Sequence, residues 1–252
     1  MRVDGGLAVL TIDDGPLNLY TPALHDELTA AVARLGPDIR ALLVRAEGKV
    51  VSGGVDVSVF DAQAGPAEAK VLFDRLLELP EAIAALDFPT VFAAHSLCLT
   101  WAFEVAVACD IILAAESASF GLVEKVVGLT PTMGGTQRLA ARAGVGRAKE
   151  LVMTGEVYPA ATLERWNVVN RLLPDDGFDA AALAFARALA AGPTRAHAAT
   201  KQVLRHFEDG GVARAGAHVT TIAADLYRTE DLRAAVRSFL ADGPGKATFT
   251  GR

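Results

Sequence analysis

Apolar positions recur with two different periods along the first half of the chain, and the alternation of those periods predicts its elements. Leu7–Asp13 is apolar and β-branched and is stopped by Asp14-Gly15-Pro16, a strand followed by a turn. Leu24, Leu28, Val32 and Leu35 then recur at helical spacing. They follow Thr21-Pro22, an N-cap with proline at the first helical position, and Gly36-Pro37 closes the helix. A second strand is predicted over Ile39–Ala46, a Gly-rich loop over Gly48–Asp56, and a helix over Pro66–Leu86 with Pro80 as a kink or break. Thr90–Ala94 and Asp110–Ala115 read as strands on either side of a short buried helix, Thr100–Cys109.

Strand and helix alternate at separations too long for hairpins. That implies βαβ crossovers, a largely parallel sheet and the α/β class. Beyond Phe120 the strand signal fades and helical periods dominate, around 136–142, 146–153, 160–165, 178–191, 193–208, 212–227 and 230–240. We therefore expect an α/β core over residues 1–190 and a helical region over 191–252.

The chain has 252 residues, of which 52% are hydrophobic and 21% charged, enough for a large buried core and too apolar for disorder. The mean hydropathy of +0.31 raises the question of a membrane span. The longest uncharged stretch, Phe88–Phe103, is broken by Pro89, His95, Ser96 and Thr100, so no span is expected. Asp4 and Asp13 around the first apolar run argue against a signal peptide, and a soluble, cytoplasmic protein is expected. Cys98 and Cys109 form neither a disulfide scaffold nor a zinc site. The net charge of −6 disfavours nucleic acid as a partner, although it divides into −10 over residues 1–133 and +4 over 134–252.

Phosphate-loop, dinucleotide, nucleophile-elbow and zinc-protease motifs are absent, and the five histidines have no ligand spacing. Two features could carry chemistry. Lys49-Val50-Val51-Ser52-Gly53-Gly54-Val55-Asp56 follows a strand directly, and its paired glycines allow a tight turn with outward N–H groups at a ligand-binding end of a parallel sheet. Glu104 lies inside Trp101-Ala102-Phe103-Glu104-Val105-Ala106, either as a buried carboxyl suited to general acid–base work or as a rim glutamate. Glu124, after Phe120-Gly121, is either a second carboxyl for the same pocket or the surface partner of Lys125.

The loop 49–56, the stretch Phe103–Asp110, the run from Phe120 through Glu124 to Gly134-Gly135-Thr136-Gln137-Arg138-Leu139, the segment Gly144–Leu151 and the ending Phe249-Thr250-Gly251-Arg252 together resemble the crotonase superfamily of enoyl-CoA hydratases and isomerases. The resemblance spans nearly the whole chain. It implies a crotonase-like ββα spiral with a helical C-terminal trimerisation region. The substrate would be an acyl-CoA thioester of fatty acid metabolism, with no further cofactor and no metal, and the assembly a homotrimer or dimer of trimers. It also implies that Glu104 orients and deprotonates a water and Glu124 delivers a proton to C2, so that water adds across C2=C3. The backbone N–H groups of Val55 and Trp101 would form the oxyanion hole, and Lys49, Ser52, Gly53, Gly54 and Asp56 would contact the CoA thioester. Isomerisation by Glu124 alone, or acyl-CoA binding without catalysis, are the alternatives. The chain departs from the family where Trp101 replaces a glycine, where His95-Ser96 replaces Asn-Gly, and where Lys125 replaces an apolar residue.

Overall fold

A computed structural model describes all residues, Met1–Arg252. Nine strands appear in chain order: β1 (Arg2–Asp4), β2 (Leu7–Ile12), β3 (Ala41–Ala46), β4 (Thr90–Ala94), β5 (Cys98–Leu99), β6 (Ile111–Ala115), β7 (Ser119–Gly121), β8 (Tyr158–Pro159) and β9 (Arg171–Leu173). Six form the main sheet in the order β1-β2-β3-β4-β6-β9, and β5-β7-β8 form a small second sheet. The main sheet is parallel from β2 to β9, with Val9 opposite Leu43, Leu43 opposite Val91 and Val91 opposite Ile111. Its central strands are buried on both faces, which explains why they read as continuous apolar runs rather than alternating ones.

The ββα rhythm is visible in the connections. β4 leads through β5 into helix Trp101–Ala108, and β6 leads through β7 and a 3-10 turn (Glu124–Val127) towards helix Gly135–Ala143. Each pass thus leaves one strand in each sheet. Helix Trp101–Ala108 is apolar around its whole circumference apart from Glu104, and all eight of its residues are buried.

Most predicted elements are present, with four corrections. β1 extends the sheet by an antiparallel hairpin through Gly5-Gly6, both at positive φ (56° and 82°), the geometry of a two-residue turn. The fading strand signal after Phe120 hid β9, three residues that add to the main sheet beside β6. Helix Pro66–Ala84 runs unbroken through Pro80. The helix expected from Thr100 begins at Trp101, and Thr100 does not cap it through its side chain: its φ is 47°, and the hydroxyl is buried without a partner.

The helical segment Thr194–Asp225 is interrupted at Gly210 and Gly211, the latter at φ 72°, ψ −168°. The rings of His206 and His218 stack at 3.9 Å. Twelve residues of straight helix would separate them by about 18 Å, so the two halves fold back alongside each other. Lys201 on the first half ties it to the sheet by its ion pair with Asp110 (2.7 Å), which also accepts from the Thr90 N–H (2.8 Å). The C-terminal tail returns to the core. Asp231 accepts from the N–H groups of Thr250 (2.7 Å) and Gly251 (2.8 Å), while Arg40 donates to the Phe249 carbonyl (3.0 Å). No helix is long and apolar enough to cross a membrane.

Candidate active site

The Gly-rich loop after β3 is held from both sides. On one side Gly53 donates to the Leu17 carbonyl (2.7 Å), Tyr20 to Gly54 (2.9 Å) and Asp56 to Tyr20 (3.1 Å). On the other, Val51 donates to Leu97 (2.9 Å) and Leu99 to Ser52 (3.1 Å). Gly54 has φ 116°, a conformation that side-chain-bearing residues rarely adopt. Because Gly54 and Asp56 turn their polar groups to Tyr20, the intervening Val55 N–H faces the other way and has no acceptor in the chain.

Asn18 is the hub of this loop. Its side-chain amide donates to the carbonyls of Glu47 (3.0 Å), Val50 (3.2 Å) and Val51 (3.3 Å), and its Oδ1 accepts from the Asp14 N–H (2.7 Å). Its own carbonyl accepts from Ser52 Oγ (2.9 Å) and from Trp101 Nε1 (3.3 Å). Asn18 sits at φ 45°, which asparagine tolerates better than most residues.

Trp101 opens its helix, so its backbone N–H has no intrahelical acceptor and the helix dipole adds positive character there. One turn on, Glu104 is only 2% exposed. Its Oε2 accepts from the N–H groups of Met133 and Gly135, both at 2.8 Å. Burial among apolar groups and the nearby charge of Glu124 nevertheless push its carboxyl up to about 8. Gly135 is required by contact: a Cβ there would lie 2.8 Å from Glu104 Cγ.

Glu124 begins the 3-10 turn after β7. It makes no ion pair with Lys125, whose side chain instead covers Gly155. Burial raises its carboxyl to about 7, and its Oε2 is buried without a hydrogen-bond partner. Both carboxyls line one cavity of about 20 Å³, together with Val55, Trp101 and an apolar wall that includes Tyr20, Phe60 and Leu76. That is room for roughly one water. A larger depression, of about 940 Å³, lies elsewhere against Arg138, Arg142, Lys201 and Arg205, and includes neither carboxyl.

Residues 2–250 match the model of the family described as "Enoyl-CoA hydratase/isomerase". The chain belongs to this family. Among relatives of this family member, a Rhodobacter capsulatus protein named "Probable enoyl-CoA hydratase" is 30% identical over 252 residues, covering 100% of this chain and 97% of that protein. A Bacillus subtilis protein of the same name is 34% identical over 158 residues, 62% of this chain and 61% of that protein. Among solved structures, enoyl-CoA hydratase subunit I of Geobacillus kaustophilus superposes with a TM-score of 0.92 at 25% identity, over 100% of this chain and 97% of that one. Pseudomonas aeruginosa DspI does so with a TM-score of 0.89 at 28% identity, over 95% and 92%. The fold of this hydratase/isomerase family member is therefore the crotonase fold, and the protein is an enoyl-CoA hydratase-like enzyme.

The structure brings Glu104, Glu124, Val55 and Trp101 to one cavity. The remaining candidates are distributed differently. Ser52 is wholly buried, and its hydroxyl is committed to the Asn18 carbonyl and the Gly54 N–H, so it shapes the loop rather than facing a ligand. Asp56 Oδ1 accepts from the Ser58 N–H (3.0 Å) and starts the short turn that carries Phe60. Lys49 is exposed at the start of the loop and forms no ion pair. Tyr20, Phe60, Leu76, Leu129 and Met133 line the cavity and were not among the candidates. An isolated apolar residue carries no chemical signature in sequence. The Asn18 hub was equally hidden, since its role is made by carbonyls distant in the chain.

Proposed function

We propose that the protein adds water across the C2=C3 bond of a 2-enoyl-CoA thioester, a hydro-lyase reaction of lipid metabolism. The observation that carries this reading is the convergence of two carboxyls with raised affinity for a proton and two acceptor-free backbone N–H groups on one water-sized cavity. The Val55 and Trp101 N–H groups receive the thioester oxygen as it becomes an enolate, each donor contributing on the order of 3 kcal/mol. One carboxylate takes a proton from water as its oxygen bonds to C3, and the other carboxylic acid delivers a proton to C2. Resemblance assigns the first task to Glu104 and the second to Glu124. With Glu104 raised to about 8 and Glu124 to about 7, the pair shares a single proton between those values, and the assigned roles use the form in which that proton sits on Glu124. The reaction as written calls on no metal and no redox group.

The CoA moiety carries phosphate charge, for which the exposed and unpaired Lys49 is a suitable partner. Self-association, as a trimer or a dimer of trimers, is supported by the apolar residues Val212, Tyr227, Val236, Phe239 and Leu240 left exposed along the C-terminal helices. Loss of the absorbance of the conjugated thioester, followed with 2-enoyl-CoA substrates of several lengths, tests the reaction. Binding of CoA thioesters without turnover at any length would overturn it in favour of a non-catalytic acyl-CoA-binding protein. Full activity in Glu104→Gln would redirect it to double-bond isomerisation by Glu124.

A further inference from the structure

We infer that Trp101 and Tyr20 form an aromatic stop that restricts the acyl group of the substrate to a short chain. The inference rests on the proposed use of the cavity for a CoA thioester and names the thioester class.

The argument starts from the space available. Beside the two carboxyls there is about 20 Å³, bounded by the side chains of Tyr20, Phe60, Leu76 and Trp101. The attacking water fills that space, so the acyl chain must make its room against these walls. Each further methylene must displace a side chain, because well-packed walls do not compress.

Those side chains are not free to move. Trp101 and Tyr20 are each 1% exposed. The indole donates through Nε1 to the Asn18 carbonyl (3.3 Å), and Asn18 is itself fixed by its hydrogen bonds to three carbonyls and one N–H. The Tyr20 ring meets the indole edge-on at 6.1 Å, and His25 meets Tyr20 edge-on at 5.8 Å. His25 is buried with neither ring nitrogen partnered, so it serves as an apolar backing to the wall. Three rings thus stand in series, the first hydrogen-bonded to Asn18, whose side chain ties down the loop that carries the Val55 N–H. A long chain that pushed the indole aside would break its bond to Asn18 and disturb the oxyanion donors as well. Length is therefore penalised both in fit and in rate.

The experiment compares kcat/KM for four-, six-, eight- and ten-carbon 2-enoyl-CoA thioesters. In parallel, calorimetry measures the affinities of the saturated four- to ten-carbon acyl-CoA thioesters. We expect kcat/KM to fall at least about tenfold from four to eight carbons, with affinity falling in the same order. The eight-to-four ratio should rise in Tyr20→Leu and in Trp101→Leu, each checked for native circular dichroism. A flat or rising profile in the wild-type protein, or an unchanged ratio in both folded variants, would overturn the stop. If no enoyl-CoA is turned over, the proposed reaction fails, while the binding series still decides whether the wall selects by length.

Discussion

At the residue scale the two glutamates of the cavity dominate, and their environment sets how activity and stability respond to pH. Replacing either by glutamine keeps the shape but removes the proton exchange. We expect Glu104→Gln and Glu124→Gln each to lower kcat by about 10²–10⁴-fold with native circular dichroism, measured by thioester absorbance. With the carboxyls raised to about 8 and about 7, kcat/KM for the hydration should peak between those values and fall on both sides. Each single glutamine variant should lose one limb of that profile. Stability follows the same groups. A carboxyl whose folded value lies above its ordinary 4.5 contributes stability that is complete below that pH and lost as pH rises through the folded value. The melting temperature of Glu104→Gln relative to wild type should therefore increase as pH rises from about 4.5 to about 8 and level off above that. Gly135→Ala would force a methyl against Glu104 Cγ, and we expect a loss of about 1–3 kcal/mol in denaturant unfolding together with impaired turnover.

At the element scale, the C-terminal helical hairpin depends on its glycine break. Gly211 holds a φ/ψ combination reserved for glycine although there is open space around it, so Gly211→Ala should cost about 1–3 kcal/mol through backbone strain alone. Increased hydrogen exchange confined to residues 194–225 would report it. This hairpin is also where the sequence was most legible, since periodicity over 193–208 and 212–227 already separates two helices around those glycines. The parallel core was legible for a related reason: strands buried on both faces are long apolar runs with turn residues at their ends. β5, β7, β8 and β9 were not, because two or three residues cannot express a period and their pairing is decided by the helices that deliver them. In the site, Glu104 stood out as a charge in an apolar helix and the glycines of the loop as a turn. The reason for Gly135 was invisible, because its cause, the Glu104 carboxyl, packs against it from a different helix. Thr100 shows the opposite failure: a threonine before a helix reads as a cap, yet the pull of its neighbours holds it at φ 47° with the Thr100 N–H on Gly121 (2.9 Å).

At the scale of the whole molecule, charge and exposed apolar surface point to partners. The uneven charge of −10 and +4 means that a polyanionic CoA approaches an acidic half whose nearest proposed contact is Lys49. Lys49→Ala should raise KM for a CoA thioester with little change in kcat, and rising salt should reduce the difference from wild type. The exposed apolar residues of the C-terminal helices should be covered in solution. We expect light scattering to give a mass about three or six times 26.3 kDa, and Val236→Asp combined with Leu240→Asp to give the monomer.

Val55 and Trp101 would offer their amide hydrogens to the substrate whatever side chains they carry. Such a division separates what is inherited rigidly from what can drift. The path of the main chain is constrained by the reaction, while the outward-branching atoms at the same positions stay open to change. A tryptophan where the family resemblance implies a glycine then need not mark decay of the enzyme. It marks the place where a lineage can alter its diet of thioesters in one codon without rebuilding the catalyst.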